Sequence, residues 1–210
     1  MPNNVVGTWL NERLDGTDGA DLIRGCGGDD VFYGDGYAPG VPGNGQGPAQ
    51  YIGGGDTLLG GGGNDWLSGG HGADILVGGR GADVFSFGTH VPFNTNAVTP
   101  DTFVLDTGVG EHARDVVLEF AQGEDRIDLS LLLNLVYRSL DVDESFAFVG
   151  RDAFTGEGPQ VRYDVEGDRT IVQLDGTAFL SGVVVGVDGM ADAEIELRGA
   201  YALNADDFIL

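Results

Sequence analysis

Between residues 51 and 86 the large apolar residues Leu58, Leu67, Leu76 and Phe85 recur every nine positions, and upstream Leu14, Ile23 and Phe32 keep the same spacing. Nine is not a helical period, and the glycines that fill half of each unit disfavour helix by about 1 kcal/mol apiece relative to alanine. The other half alternates polar and apolar as a short strand does. The pattern predicts three- or four-residue strands joined by glycine turns, with the periodic apolar residues pointing into a narrow core.

Written G-G-x-G-x-D-x-U-x, with U a large apolar residue, the unit fits residues 60–68, 69–77 and 78–86 at every fixed place. Weaker copies precede them. Residues 16–24 carry Thr17 and residues 25–33 carry Cys26 at the second glycine. Residues 7–15 carry Glu12 at the acid position, and residues 51–59 keep Gly54, Asp56 and Leu58. Alternating turns and strands fit a coil of two repeats, in which each strand pairs with the strand 18 residues on. The expected fold is all-β, a parallel β-roll. The 34–52 loop, with three prolines, is read as bulging out, so that Asp56 stacks under Asp21 and Asp65 under Asp30, with a loop that fills a coil as the alternative.

Stacking dictates the chemistry. Adjacent coils lie about 4.8 Å apart, which brings Asp56 against Asp74 and Asp65 against Asp83. Two carboxylates about 5 Å apart repel by about 3 kcal/mol at an effective dielectric near 20. A cation relieves this, and Ca²⁺, which takes six to eight oxygens, suits carboxylates and inward-facing glycine carbonyls better than Mg²⁺ does.

Further on, residues 160–167, 170–175 and 193–199 alternate as antiparallel strands, and residues 131–140 fit a short helix. The position before each U holds Leu22, Val31, Trp66, Ile75 and Val84. This outer face is expected to pack under the C-terminal half, with a partner surface as the alternative.

Composition narrows the function. Ten Lys plus Arg against 34 Asp plus Glu give a net charge of −24, which argues against nucleic acid and anionic membranes as partners and for cations. No stretch approaches the roughly 18 apolar residues of a membrane span. Cys26, the single cysteine, permits no intramolecular disulfide. The N-terminus has no secretory signal pattern.

These repeats resemble the RTX (repeat-in-toxin) family of calcium-binding nonapeptides. The resemblance implies several Ca²⁺ ions between successive coils. One would bridge Asp65 and Asp83 with carbonyls such as those of Gly60, Gly62, Gly79 and Gly81. Another would bridge Asp56 and Asp74 with Gly70 and Gly72 contributing. Asp21 and Asp30 are the acids of the upstream repeats, where Thr17 and Cys26 are expected to weaken or distort the site.

The 114–130 stretch, RDVVLEFAQGEDRIDLS, is similar to the segment that follows the roll in the serralysin metalloproteases. Asp115 and Asp125 are its candidates for a further ion, with solvated turn carboxylates as the alternative. The implied organisation is a calcium-binding β-roll over 7–87 and a serralysin-like β cap over 88–210. The ending Asp207-Phe208-Ile209-Leu210 is similar to that family's uncleaved signal for type I secretion machinery. The resemblance therefore implies a secreted, extracellular protein that folds on meeting calcium after export.

A catalytic role is not expected. The three histidines, His71, His90 and His112, form no H-E-x-x-H, and His71 is expected to be a solvated turn residue. The alternative function is a polysaccharide-binding module similar to the R-modules of mannuronan epimerases. An extracellular protein or glycan is thus a candidate partner, although the ten basic residues, all arginine, are spread along the chain.

Overall fold

A computed structural model describes residues 3–17, 19–34, 54–87, 109–130, 132, 145–176, 178–180, 183–185 and 189–210. The interior of the 34–52 loop lies outside them. So does the helix expected over 131–140, apart from Leu132, which is buried.

The repeats and the segments flanking them form ten short strands: β1 (Asn4–Val6), β2 (Arg13–Asp15), β3 (Leu22–Arg24), β4 (Val31–Tyr33), β5 (Thr57–Gly62), β6 (Trp66–Ser68), β7 (Ile75–Arg80), β8 (Val84–Ser86), β9 (Asp115–Leu118) and β10 (Arg126–Asp128). Odd strands run side by side in one sheet and even strands in a second, all parallel. This is the two-repeats-per-coil roll. Every U residue named from the sequence is buried, and the column splits in two. Ile23, Leu58, Leu76 and Val117 register on one sheet. Leu14, Phe32, Leu67, Phe85 and Ile127 do so on the other. Each such fully buried side chain contributes about 1.5–3 kcal/mol.

The inserted loop leaves this register intact. Ile23 pairs with Leu58, 35 residues on, where the uninterrupted spacing is that of Leu58 and Leu76. Gly34 accounts for the join. Its amide donates to the carbonyl of Ser68 at 2.9 Å, as the first glycine of a repeat, and the same repeat resumes at Gly54 and Asp56. The excursion therefore leaves from inside one turn and disturbs no strand.

The C-terminal half adds β11 (Ala147–Phe148), β12 (Gln160–Glu166), β13 (Arg169–Asp175), β14 (Ala178–Leu180), β15 (Val183–Val185), β16 (Ala193–Arg198), a 3-10 turn over Ala205–Asp207 and β17 (Phe208–Ile209). β16 pairs in parallel with β9, and β13 and β12 follow antiparallel. β17 joins β10, registering Phe208 on Ile127. These strands lengthen the two sheets and close the end of the roll, which would otherwise expose its core and a sheet edge.

On the outer face of the repeats Leu22, Val31, Trp66 and Val84 are half-buried among the described residues. Ile75 there stays 40% exposed. Trp66 rests against Tyr33, with ring centroids 5.3 Å apart, and the guanidinium of Arg13 sits 4.6 Å from the Tyr33 ring centre.

Candidate metal centre

The turns bring the acids into two stacked ladders. In the first, the amide of Asp21 donates to Oδ1 of Asp56, that of Asp56 to Asp74 and that of Asp74 to Asp115, at 2.7–2.8 Å. In the second, the amides of Asp30, Asp65 and Asp83 donate to Oδ1 of Asp65, Asp83 and Asp125 in turn, at 2.8–3.0 Å. One carboxylate oxygen of each acid therefore serves the backbone. Asp115 and Asp125 extend the ladders of the repeats and do not form a separate cluster.

The other oxygen defines the chemistry. Oδ2 of Asp30, Asp65 and Asp83 is buried and accepts no hydrogen bond. A buried carboxylate oxygen without a partner costs several kcal/mol unless a cation or proton meets it. Burial is the leading cause that pushes the carboxyls of Asp30, Asp83 and Asp125 up from the ordinary range. It also pushes Asp65 up to about 6, with the nearby carboxylates of Asp83 and Asp30 adding to the effect.

Glycines shape the remaining walls. The first glycine of a repeat backs the carboxylate of its own turn. A Cβ on Gly60 would overlap Oδ2 of Asp65 and sit 2.5 Å from the carbonyl oxygen of Gly78. Gly25, Gly34, Gly69 and Gly78 back Asp30, Asp56, Asp74 and Asp83 in the same way. The second and fourth glycines adopt positive φ: Gly61 and Gly63 at 111° and 133°, Gly70 and Gly72 at 91° and 134°, Gly79 and Gly81 at 106° and 131°. The carbonyls of Gly61 and Gly63 face Gly79 and Gly81 one coil on so closely that a Cβ there would overlap them. Only glycine allows both the backbone conformation and the approach.

Several residues named from the sequence have distinct places. Gly62, a third-position glycine, has open space beside its Cα, and its carbonyl accepts from the amide of Gly28 at 2.9 Å. Cys26 keeps the left-handed turn at φ 79° despite its side chain, which is exposed. His71 is buried, contrary to its expected place in solvent. Arg80, at the same position of the next repeat, is exposed.

A third ladder was not anticipated. The amide of Asp29 donates to Oδ1 of Asn11, that of Asn64 to Oδ1 of Asp29 and that of Ala82 to Oδ1 of Asn64. Its signal is visible only when alternate repeats are compared, since the fifth position reads Asn11, Asp29, Asn64 on one side and Ala20, Gly55, Ala73 on the other.

Among the described residues no three His, Cys, Asp or Glu side chains converge on one point. A cation in these turns therefore draws on backbone carbonyls beside one or two carboxylates, an all-oxygen donor set that suits Ca²⁺ and offers nothing to metals preferring sulfur or imidazole. The residues fit a hard cation.

A parallel β-roll with carboxylate ladders in its turns defines a calcium-binding repeat protein. Residues 6–36 and 52–85 match the RTX calcium-binding nonapeptide repeat, in four copies. Among solved structures, the chain is similar to the AlgE6R3 subunit of the Azotobacter vinelandii mannuronan C5-epimerase, with 27% identity over 98% of this chain and 81% of that one and a TM-score of 0.38. It is also similar to the AlgE6R2 subunit of the Azotobacter vinelandii mannuronan C5-epimerase, with 25% identity over 98% of this chain and 91% of that one and a TM-score of 0.39. The comparison with curated proteins finds no match.

Proposed function

We propose that the chain is an exported module that folds when Ca²⁺ enters its turns. The observation that carries this reading is the row of buried Oδ2 atoms on Asp30, Asp65 and Asp83, which accept no hydrogen bond. Bound calcium supplies the positive charge that lets these carboxylates stay ionised while buried. The acids would bind it, and the positive-φ glycines would direct carbonyls to it. Asp65 and Asp83 serve one stack with Gly60, Gly79 and Gly81 shaping the turn. Asp56 and Asp74 serve the other with Gly70 and Gly72. Asp115, at the end of its ladder, serves the same role, whereas Oδ2 of Asp125 already accepts the amide of Ala121 at 2.9 Å.

Gating follows from charge. At −24 the chain repels itself, and where calcium is scarce the ladders hold adjacent carboxylates apart and the roll open. Millimolar extracellular calcium neutralises them, so that binding and folding are one event. RTX repeats are typical of extracellular proteins, and a chain that stays extended until it meets calcium is suited to export in the unfolded state by a type I machinery. The reading assigns no catalytic role.

An acidic glycan is a poorer partner. Arg13, Arg114, Arg151, Arg169 and Arg198 each hold a carboxylate of the chain within 3.0 Å, so a polyanion would have to displace it.

Circular dichroism across a Ca²⁺ titration tests the reading. A coil-to-β transition that EDTA reverses and Mg²⁺ at equal concentration fails to reproduce is expected. An unchanged spectrum would sink it.

A further inference from the structure

The first coil departs from the consensus at Leu10 and Glu12 in its first repeat and at the second position of both its repeats. There the chain has Thr8 and Thr17, where later turns have Gly61, Gly70 and Gly79. Neither threonine adopts the positive φ of those glycines. The consequence falls on the carboxylates. Asp21 accepts the amide of Asn3 on Oδ1 at 2.7 Å, as every ladder acid accepts an amide. Its Oδ2, the oxygen without a hydrogen-bond partner in Asp30, Asp65 and Asp83, accepts both the amide and the hydroxyl of Thr17, at 2.5 and 2.8 Å. In the other stack the amide of Thr8 donates to Oε2 of Glu12.

We infer that Thr8 and Thr17 take the place of cations, so that the first coil closes without metal and the calcium sites begin at the turn of Cys26 and Asp30. This rests on the calcium-binding reading above and sharpens it. A cation and two N–H or O–H donors satisfy the same oxygen, and they exclude one another. The donors also remove the conformation in which a second-position carbonyl is presented to the next coil. The N-terminal coil becomes a metal-independent template on which calcium-bound coils stack. Asp125 shows the same closure at the far end of its ladder, where its Oδ2 accepts the amide of Ala121 at 2.9 Å.

Calcium stoichiometry measured by native mass spectrometry on the full chain tests the inference. Thr17→Gly, which restores the repeat consensus, is expected to bind one Ca²⁺ more than the parent. Asp21→Asn in the parent is expected to leave the count unchanged, whereas Asp65→Asn lowers it. Loss of an ion in Asp21→Asn, or an unchanged count in folded Thr17→Gly, would overturn the assignment. If Thr17→Gly fails to fold, the Asp21→Asn count alone decides. A parent chain that binds no calcium would instead refute the calcium reading itself.

Discussion

The amide of Asp65 donates to Oδ1 of Asp83 at 2.9 Å, across two adjacent coils, while Oδ2 of Asp83 is buried with no hydrogen-bond partner. One carboxylate thus splices the backbone and demands a positive charge at the same time. Replacing Asp83 by asparagine keeps the acceptor and deletes the charge. Asp83→Asn is expected to raise the stability of the chain in EDTA, by about 1–3 kcal/mol for a relieved buried charge, and to weaken calcium binding. Circular dichroism in EDTA, where more β structure is expected, and urea unfolding in excess Ca²⁺ check both signs.

The ladder makes stability depend on pH in opposite senses with and without calcium. Asp65 titrates near 6 in the fold, against about 3.9 in an unfolded chain, and Asp30 and Asp83 shift in the same direction. A carboxyl raised in this way holds more protons in the folded state. Its contribution is therefore fully present below about pH 4 and is lost as pH rises through about 6. In EDTA the β signal in circular dichroism is expected to be larger at about pH 5 than at about pH 7.5. Calcium affinity runs the other way, weakening at about pH 5 because protons compete for the same oxygens.

Two neighbouring turn positions separate the glycines that shape the site from those that merely fill the turn. A Cβ on Gly78 would overlap Oδ2 of Asp83 and lie 2.6 Å from its Cγ, whereas one on Gly62 would meet nothing within 4 Å. Gly78→Ala is expected to cost about 1–3 kcal/mol of stability in Ca²⁺, with Gly62→Ala costing less than about 1 kcal/mol. Thermal unfolding in excess Ca²⁺ measures both.

Cys26 holds φ at 79° at a turn position where the later repeats use Gly61, Gly70 and Gly79. A side chain in the left-handed region costs about 1–2 kcal/mol. Cys26→Gly is expected to stabilise the calcium-loaded protein by about 1 kcal/mol, read from the urea midpoint.

Beyond the repeats, Arg114 is buried between two glutamates of β16, with Nη1 3.0 Å from Glu194 and Nη2 2.7 Å from Glu196. This joint fastens the roll to the C-terminal strands. Arg114→Met leaves both carboxylates with less positive charge in a buried place and is expected to cost about 3–5 kcal/mol. Urea unfolding in excess Ca²⁺ measures the cost, and adding Glu196→Gln is expected to recover part of it.

The parts that could be read in the sequence are those written as a period. Seven apolar residues from Leu14 to Phe85 mark both core columns, and acids 18 residues apart mark the ladders, because each coil repeats the last. What depends on a departure from the period was harder to read. Thr17 looked like a defect in a glycine turn, and only the structure shows its hydroxyl on Asp21. The pairing of β9 with β16 was hidden for another reason. Its partners are distant in sequence, and alternation along a strand does not say which edge it joins. The arginines look dispersed along the chain, yet Arg114, Arg169 and Arg198 all meet Glu196.

The join at Gly34 and Gly54 has a wider consequence. Strand register in this roll is fixed by what lies above and below each coil, so a turn can be cut open between its first and fourth residues and a long excursion spliced in without retuning either sheet. The same cut made in the turn after Gly60 or Gly69 offers a place to graft a foreign peptide onto the side of the roll, where the presence of calcium would decide whether the graft is displayed on a folded scaffold.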